Sequence, residues 1–264
     1  MHIVVLIKQV PETTDVKIDP VTNTLKREGV KSIINPFDMY AIEESVRLKE
    51  RFGEGCKVTV ITMGPPQAME ALREAVSMGC DEAVLLSDRK FAGSDTWATS
   101  YTISQAIKKL GVVNIIVCGK QASDGDTAQV GPGVSTHLDI PQVTYVKKIE
   151  EITKEHAKVE RMTEEGYDIV VTPLPALFTV VKEINEPRLP SLKGKMKAKK
   201  MEIPVWNAET LACDSAKIGL DGSPTRVMKV FTPPQRTGGQ ILKGEADETA
   251  KQLADLLRDI AIAH

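Results

Sequence analysis

Two segments carry residues whose types and spacing could do chemistry. The first is Gly119-Lys120-Gln121-Ala122-Ser123-Asp124-Gly125-Asp126-Thr127-Ala128-Gln129-Val130-Gly131-Pro132, which follows the apolar run Asn114-Ile115-Ile116-Val117-Cys118 and precedes a helical pattern. It reads as a strand-to-helix turn. Ala122, Ser123, Gly125, Ala128 and Gly131 are small enough to let a phosphate approach the backbone. Thr127, Gln129 and the N–H groups of the first helical turn can donate to phosphate oxygens, and the helix dipole adds to the attraction. Asp124 and Asp126 suit helix caps, or acceptors for sugar hydroxyls or an adenine amine. The same residues would also make a plain capped turn with no ligand. Neither Gly-x-Gly-x-x-Gly after the first strand nor Gly-x-x-x-x-Gly-Lys-Ser/Thr is present, so a standard dinucleotide fold and a P-loop enzyme are both excluded.

The second segment is Asn185-Glu186-Pro187-Arg188-Leu189-Pro190-Ser191-Leu192, inside a stretch 183–200 that ends in Lys193, Lys195, Lys197, Lys199 and Lys200. Two prolines stiffen it. Leu189 and Leu192 are apolar where the chain otherwise reads as surface. Such a loop offers a small anchor to another protein, with Asn185, Pro187 and Arg188 beside it. Alternatively, Leu192 packs on its own domain. The lysines either steer an acidic partner or solvate a linker.

The elements that must position these segments alternate in type. Ile3 to Ile7, Val58 to Met63, Ala83 to Leu86 and Ile115 to Cys118 read as buried strands. Pro36 to Phe52, Gln67 to Met78 and Thr96 to Leu110 read as helices, with Gly53, Gly79 and Gly111 expected as left-handed caps. This is an α/β pattern, a mostly parallel sheet flanked by helices. Gln142 to Ile152, His156 to Met162, Tyr167 to Thr172 and Ala176 to Val181 read as antiparallel strands appended to that core. Residues 185–240 read as irregular chain, and Ala246 to Ala261 as an amphipathic helix with Ala250, Leu253, Leu257, Ile260 and Ala261 on one face. That helix packs on this domain or on a partner, and the partner is favoured. The division expected is a nucleotide-binding domain over 1–235 and a C-terminal arm over 236–264. The polar stretch Val10 to Val30 follows the first strand; it is a ligand loop at a strand end or a surface hairpin.

At 264 residues the chain can bury one good core. Its 42% apolar and 27% charged content is that of a globular protein. A net charge of −2 and 4% aromatic residues argue against nucleic-acid binding. The opening apolar run is too short for a signal peptide and no stretch is long enough to span a membrane, so the chain reads as soluble and cytoplasmic. Cys56, Cys80, Cys118 and Cys213 form no Cys-x-x-Cys pair and read as buried free thiols. His2, His137, His156 and His264 have no metal-ligand spacing. No catalytic side chain and no metal site are assigned.

With these residues in view, the chain resembles the β subunit of electron-transfer flavoprotein. The likeness covers almost the whole chain: Val5-Leu6-Ile7-Lys8-Gln9-Val10, Asn35-Pro36-Phe37, Met63-Gly64-Pro65, Gly119-Lys120-Gln121-Ala122, Asn185-Glu186-Pro187-Arg188 and Met196-Lys197-Ala198-Lys199-Lys200. The resemblance implies a flavodoxin-like doubly wound domain and a heterodimer with an α subunit that carries FAD. In one branch of the family the β subunit holds AMP as a structural ligand. In the electron-bifurcating branch the same pocket holds a second FAD, which takes hydride from NADH. One electron then goes to ferredoxin or flavodoxin, the other through the α-subunit FAD to an acyl-CoA dehydrogenase or related flavoprotein. AMP-type relatives carry Asp-Asp-Asp-x-Asn-Gln-Thr-Gly-Gln-Met, where this chain has Gly125 and Ala128 in place of larger polar residues. Smaller side chains leave room for a pyrophosphate, so the FAD branch is the expectation and AMP the alternative. By position, the family's nucleotide contacts fall on Leu6, Asn35, Pro36, Phe37, Asp38, Met63 and the run Gly119 to Val130; Asp38 and Met63 differ from the AMP-type residues. The isoalloxazine is expected to extend toward the Val10 to Val30 stretch and Phe37. The leucine that the family inserts into its dehydrogenase partner falls on Leu192. A nucleotide-sensing module of the same fold, a self-sufficient homodimer, would have no use for the 185–200 segment.

Overall fold

The computed structural model describes residues 1–12, 32–229 and 239–262, the last three of these by backbone only. In chain order the elements are β1 (His2–Leu6), β2 (Gln9–Pro11), β3 (Ser32–Ile34), α1 (Pro36–Phe52), β4 (Lys57–Met63), α2 (Met69–Met78), β5 (Glu82–Leu86), α3 (Thr96–Leu110), β6 (Ile115–Gly119) and α4 (Val130–Leu138). There follow β7 (Gln142–Ile152), β8 (His156–Met162), β9 (Tyr167–Pro173), β10 (Ala176–Val180), α5 (Leu192–Lys200), β11 (Val205–Trp206) and α6 (Ala246–Ile262). Most of the Val10 to Val30 stretch lies outside the described residues. Its flanks, β2 and β3, pair antiparallel.

Among the described residues one nine-stranded sheet runs in the order β11-β5-β4-β1-β6-β10-β7-β8-β9. The central strands are buried almost throughout and mostly apolar, because both sheet faces are covered. In β1 the alternation of side chains divides them between two cores. Ile3 and Val5 pack with Ala41, Ile42 and Val46 of α1 and Leu72 of α2. Val4 and Leu6 pack with Ile103 and Ile107 of α3 and Val134 of α4. Helices on both faces make the sheet doubly wound. The chain leaves β1 for β4 on one side and returns to β6 on the other, so β1 and β6 flank the switch point, where such sheets open a crevice at their carboxyl ends.

Three expectations need correction. Ala176–Val180 is not an appended antiparallel strand: β10 lies between β6 and β7 and is parallel to both. Its five residues are all buried, the mark of a central parallel strand, and only β8 and β9 extend the sheet antiparallel. Gly53, Gly79 and Gly111 all end their helices at positive φ but outside the left-handed helical region, with φ, ψ of 71°, −145°, of 134°, 2° and of 85°, −134°. Such φ, ψ pairs are ones that only glycine takes readily. Finally, residues 192–200 are helical. Ser191 caps α5 by accepting from the Gly194 N–H at 3.0 Å, and lysine is a good helix former, so the Lys-rich composition hid the element.

The chain divides into two compact units, Met1–Met228 and Lys229–His264. In the second unit α6 leaves Leu253, Leu256 and Leu257 exposed. No helix among the described residues is long and apolar enough to cross a membrane, and no cluster there could hold a metal ion.

Candidate functional site

At the carboxyl ends of β1 and β6 two side chains from the start of α1 organise the crevice. Asp38 is fully buried; its Oδ2 accepts the Lys8 N–H at 2.7 Å and its Oδ1 accepts the Gly119 N–H at 3.1 Å. The carboxylate thus ties together the ends of two neighbouring strands. Burial pushes the carboxyl up to about 7, against the opposing pull of the Lys8 and Gly119 N–H groups, Asn35 and the Lys8 charge. Asn35 holds the following loop: its Nδ2 donates to Gln121 O at 2.8 Å and its Oδ1 accepts from Ser123 N at 3.1 Å.

The loop 120–129 is shaped by its own side chains. Lys8 Nζ meets Asp124 Oδ1 at 2.6 Å, and Gln121 Nε2 donates to Asp126. Asp126 and Ala128 stand at φ of 53° and 54°, a region that non-glycine residues visit rarely. Neither aspartate caps the helix, contrary to one of the two expectations for them. α4 starts only at Val130 and has no side-chain cap, so its first-turn N–H groups at Val130 and Gly131 lack a side-chain partner. Pro132 contributes no N–H.

These elements enclose a cavity of about 510 Å³. Of the residues expected there, Leu6, Asn35, Asp38, Met63, Gly119, Lys120, Gln121, Ala122, Gly125, Thr127, Ala128, Gln129 and Val130 line it. Pro36, Phe37, Ser123, Asp124 and Asp126 do not; all but the half-buried Phe37 are exposed. Phe37 packs against Gly119, and its ring lies 5.0 Å from Lys120 Nζ. Gly131 borders the cavity, but its lack of a side chain serves packing: a Cβ there would fall 2.9 Å from both Cys118 Sγ and Thr179 Cγ2. Gly125 is different. A Cβ there would meet only Lys8 Nζ, at 4.0 Å, so the loop has open space at that point.

The opposite wall comes from residues without a binding signature in the sequence. Ser94, Asp95, Thr96, Thr99 and Ile103, around the start of α3, line it; Lys8 and Cys118, at the strand ends, also border the cavity. Asp95 was legible as an N-cap ahead of an apolar helix: its Oδ1 accepts from Trp97 N at 2.9 Å and Ala98 N at 3.0 Å. The positive end of α3 is therefore occupied by its own carboxylate, while that of α4 is open. Burial works to raise the Asp95 pKa, but donors from Ala98, Thr225 and Trp97 outweigh it and hold the carboxyl below its usual range. Thr96 Oγ1 donates to Gln129 Oε1 at 2.9 Å and joins the two walls. Burial pushes the Cys118 thiol up, so it is a neutral lining group. Cys80 is buried like Cys118, whereas Cys56 and Cys213 are only partly so.

The 185–192 segment lies along α1. Asn185 and Arg188 turn their side chains onto the helix, whereas Leu189 and Leu192 are 88% and 78% exposed. Leu192 does not pack on its own domain.

Residues 22–211 match the electron transfer flavoprotein domain family. The chain is similar to the electron transfer flavoprotein subunit beta of Megasphaera elsdenii, with 49% identity over 100% of this chain and 98% of that one. It is 47% identical to the caffeyl-CoA reductase-Etf complex subunit CarD of Acetobacterium woodii, over 98% of each chain. Protein FixA of Azotobacter vinelandii is 46% identical over 97% of this chain and 92% of its own.

Proposed function

The chain belongs to the electron transfer flavoprotein family as a β subunit, and from that premise we propose that its cavity holds FAD and that it works in electron bifurcation. What carries the reading is the open wall of the cavity: an uncapped α4 start faces a space that runs past Gly125 and on to Thr96 and Thr99. The residues fit such a group. The N–H groups of Val130 and Gly131, with Thr127 and Lys8 nearby, would hold the diphosphate. Asn35 and the 121–123 backbone would orient the adenosine end, and Leu6, Met63 and Ile103 would cover apolar surface and exclude water. A bound flavin supplies the chemistry this chain lacks, two-electron acceptance from NADH and one-electron release. Asp38, whose carboxyl burial pushes up to about 7, ties the ends of β1 and β6 beside the cavity.

In this reading the chain pairs with an FAD-carrying α subunit, on which the 236–264 arm packs. Electrons leave to ferredoxin or flavodoxin and, through the α subunit, to an acyl-CoA dehydrogenase or related flavoprotein. Membership of CarD in a caffeyl-CoA reductase complex, by its name, supports a partner that acts on acyl-CoA compounds. Leu189 and Leu192 are the exposed apolar residues of the docking segment.

Copurification with the α subunit followed by chromatography of the released nucleotides tests the ligand. Two FAD and no AMP per heterodimer, with the complex reduced by NADH, is the expected result. One FAD and one AMP would make the chain the structural subunit of a one-flavin carrier and overturn the bifurcating reading.

A further inference from the structure

Helix α1 has a second set of contacts beyond the nucleotide cavity. Arg188 spreads its guanidinium over two carboxylates on that helix. Its Nε reaches Glu43 Oε2 at 2.7 Å, its Nη1 reaches Glu50 Oε1 at 2.6 Å, and its Nη2 lies 3.1 Å from both Glu43 Oε1 and Glu50 Oε2. The Arg188 backbone N–H also donates to Glu43 Oε2, at 3.1 Å. Three residues earlier, Asn185 Nδ2 donates to Tyr40 O at 3.1 Å and to Glu44 Oε2 at 3.0 Å. Arg47 closes the set, with Nε on Glu43 Oε1 at 2.6 Å and Nη2 on Glu186 O at 3.3 Å.

This is not a surface ion pair of the usual weak kind. The Glu43 side chain is only 3% exposed. Burial works to raise its pKa, yet the donors from Arg188 and Arg47 outweigh burial and hold it ionised below the usual range. Two forks on one arginine demand the planar guanidinium; an ammonium is a point charge and cannot span both carboxylates. Immediately beyond the fork, Leu189 turns out to solvent and Leu192 opens α5.

We propose that Arg188 is a positioning residue: its fork onto Glu43 and Glu50 fixes the 185–192 segment to α1 and so presents Leu189 and Leu192 to the partner flavoprotein in a set place relative to the nucleotide cavity. The inference rests on the docking role given to those leucines under the proposed function. It follows that Asn185 and Arg188 act on docking through the segment they hold rather than by touching the partner. The same helix supplies Asp38 to the cavity, and Asn35 immediately precedes it, so the 185–188 end of the docking segment and the cavity share α1, while Leu192 is also carried by α5.

The test uses the heterodimer with its α subunit and an acyl-CoA dehydrogenase from the same organism. Electron transfer is measured against dehydrogenase concentration for the parent, R188A, R188K, E50Q and L192A, and amide exchange is followed in 185–192. For R188A the expected result is a rise in half-saturating dehydrogenase concentration of about tenfold, with limiting rate and bound nucleotide near the parent values and amide exchange in the segment faster by a similar factor. R188K should fall between R188A and the parent. E50Q, an exposed site that leaves the fold intact, should give a rise of about two- to threefold. An unchanged half-saturating concentration in R188A and E50Q, alongside a raised one in L192A, would overturn the positioning role and leave the docking reading standing. No change in L192A would remove both. Loss of nucleotide together with docking in R188A and E50Q would assign these residues to fold stability alone.

Discussion

The Asp38 carboxylate and the Gly119 backbone meet so closely that no side chain fits at 119. Asp38 Oδ1 accepts the Gly119 N–H at 3.1 Å, and a Cβ on Gly119 would fall 2.5 Å from that oxygen, 2.6 Å from Phe37 Cβ and 2.7 Å from the Phe37 carbonyl carbon. One contact therefore fixes how near the start of α1 comes to the end of β6, and that spacing forms one side of the cavity.

Gly119→Ala should be among the most damaging small substitutions in the chain. Backbone and a fully buried carboxylate are in the way, and neither can swing aside. A loss of about 3 kcal/mol or more is expected from overpacking at a site that also breaks a buried hydrogen bond. Denaturant melting and the nucleotide content of the purified heterodimer check it, and both should fall.

Gly125→Ala and Gly131→Ala should separate binding from stability. Gly125 has open space where its Cβ would go, so the alanine variant should melt like the parent while binding nucleotide more weakly. Gly131 has Cys118 Sγ and Thr179 Cγ2 at 2.9 Å from that position, so its variant should lose about 1–3 kcal/mol of stability. Thermal melting with the nucleotide removed, followed by titration with FAD, tells the two apart. Equal binding losses with no difference in melting would refute this account of the loop.

Asp38 should leave a signature in the pH dependence of stability. Its folded value of about 7 lies above the ordinary aspartate value of 3.8, so between these two the folded state holds a proton that the unfolded chain has lost. The stability it supplies is complete below the unfolded value and disappears as pH rises through the folded one. Across that window the group should contribute a fall of up to about 1.4 kcal/mol per pH unit. Asp38→Asn removes the titration. The difference between parent and variant stabilities should therefore slope between pH 4.5 and 7 and flatten above about 8; a flat difference throughout would mean that Asp38 does not titrate there.

Leu192→Ala should leave the fold alone, because the side chain is 78% exposed. A stability change within about 0.5 kcal/mol is expected, with flavin content normal and transfer to the dehydrogenase weakened. Unchanged stopped-flow transfer kinetics would rule out the anchor.

Much of the frame could be read from residue order. The apolar periodicity over Pro36 to Phe52 and Thr96 to Leu110, each closed by a glycine, marked α1 and α3 to the residue. β10 reads as antiparallel in sequence because it follows β7, β8 and β9 through short connections, the mark of antiparallel neighbours. Its own unbroken burial shows only once β6 and β7 close on it. The loop side of the cavity was legible because small residues and a helix start lie together in the chain. Its other wall was not, since Ser94 to Thr99 reach the cavity from a separate βα connection, more than twenty residues upstream of the loop.

By itself, the sequence determined the alternation of buried strands and amphipathic helices, the family, and the short runs that carry ligand and partner chemistry. Those are local properties: periodicity, caps and turn residues act within a few positions. The tertiary structure alone decided what each side chain in those runs faces. Asp124 turns to Lys8, Asp38 clasps two strands, Arg188 folds back onto Glu43 and Glu50, and Leu192 is left outward. The reason is that each direction is set by groups distant in sequence. A buried carboxylate takes whatever donors the packing of other elements places beside it, and only the closed fold determines which donors those are.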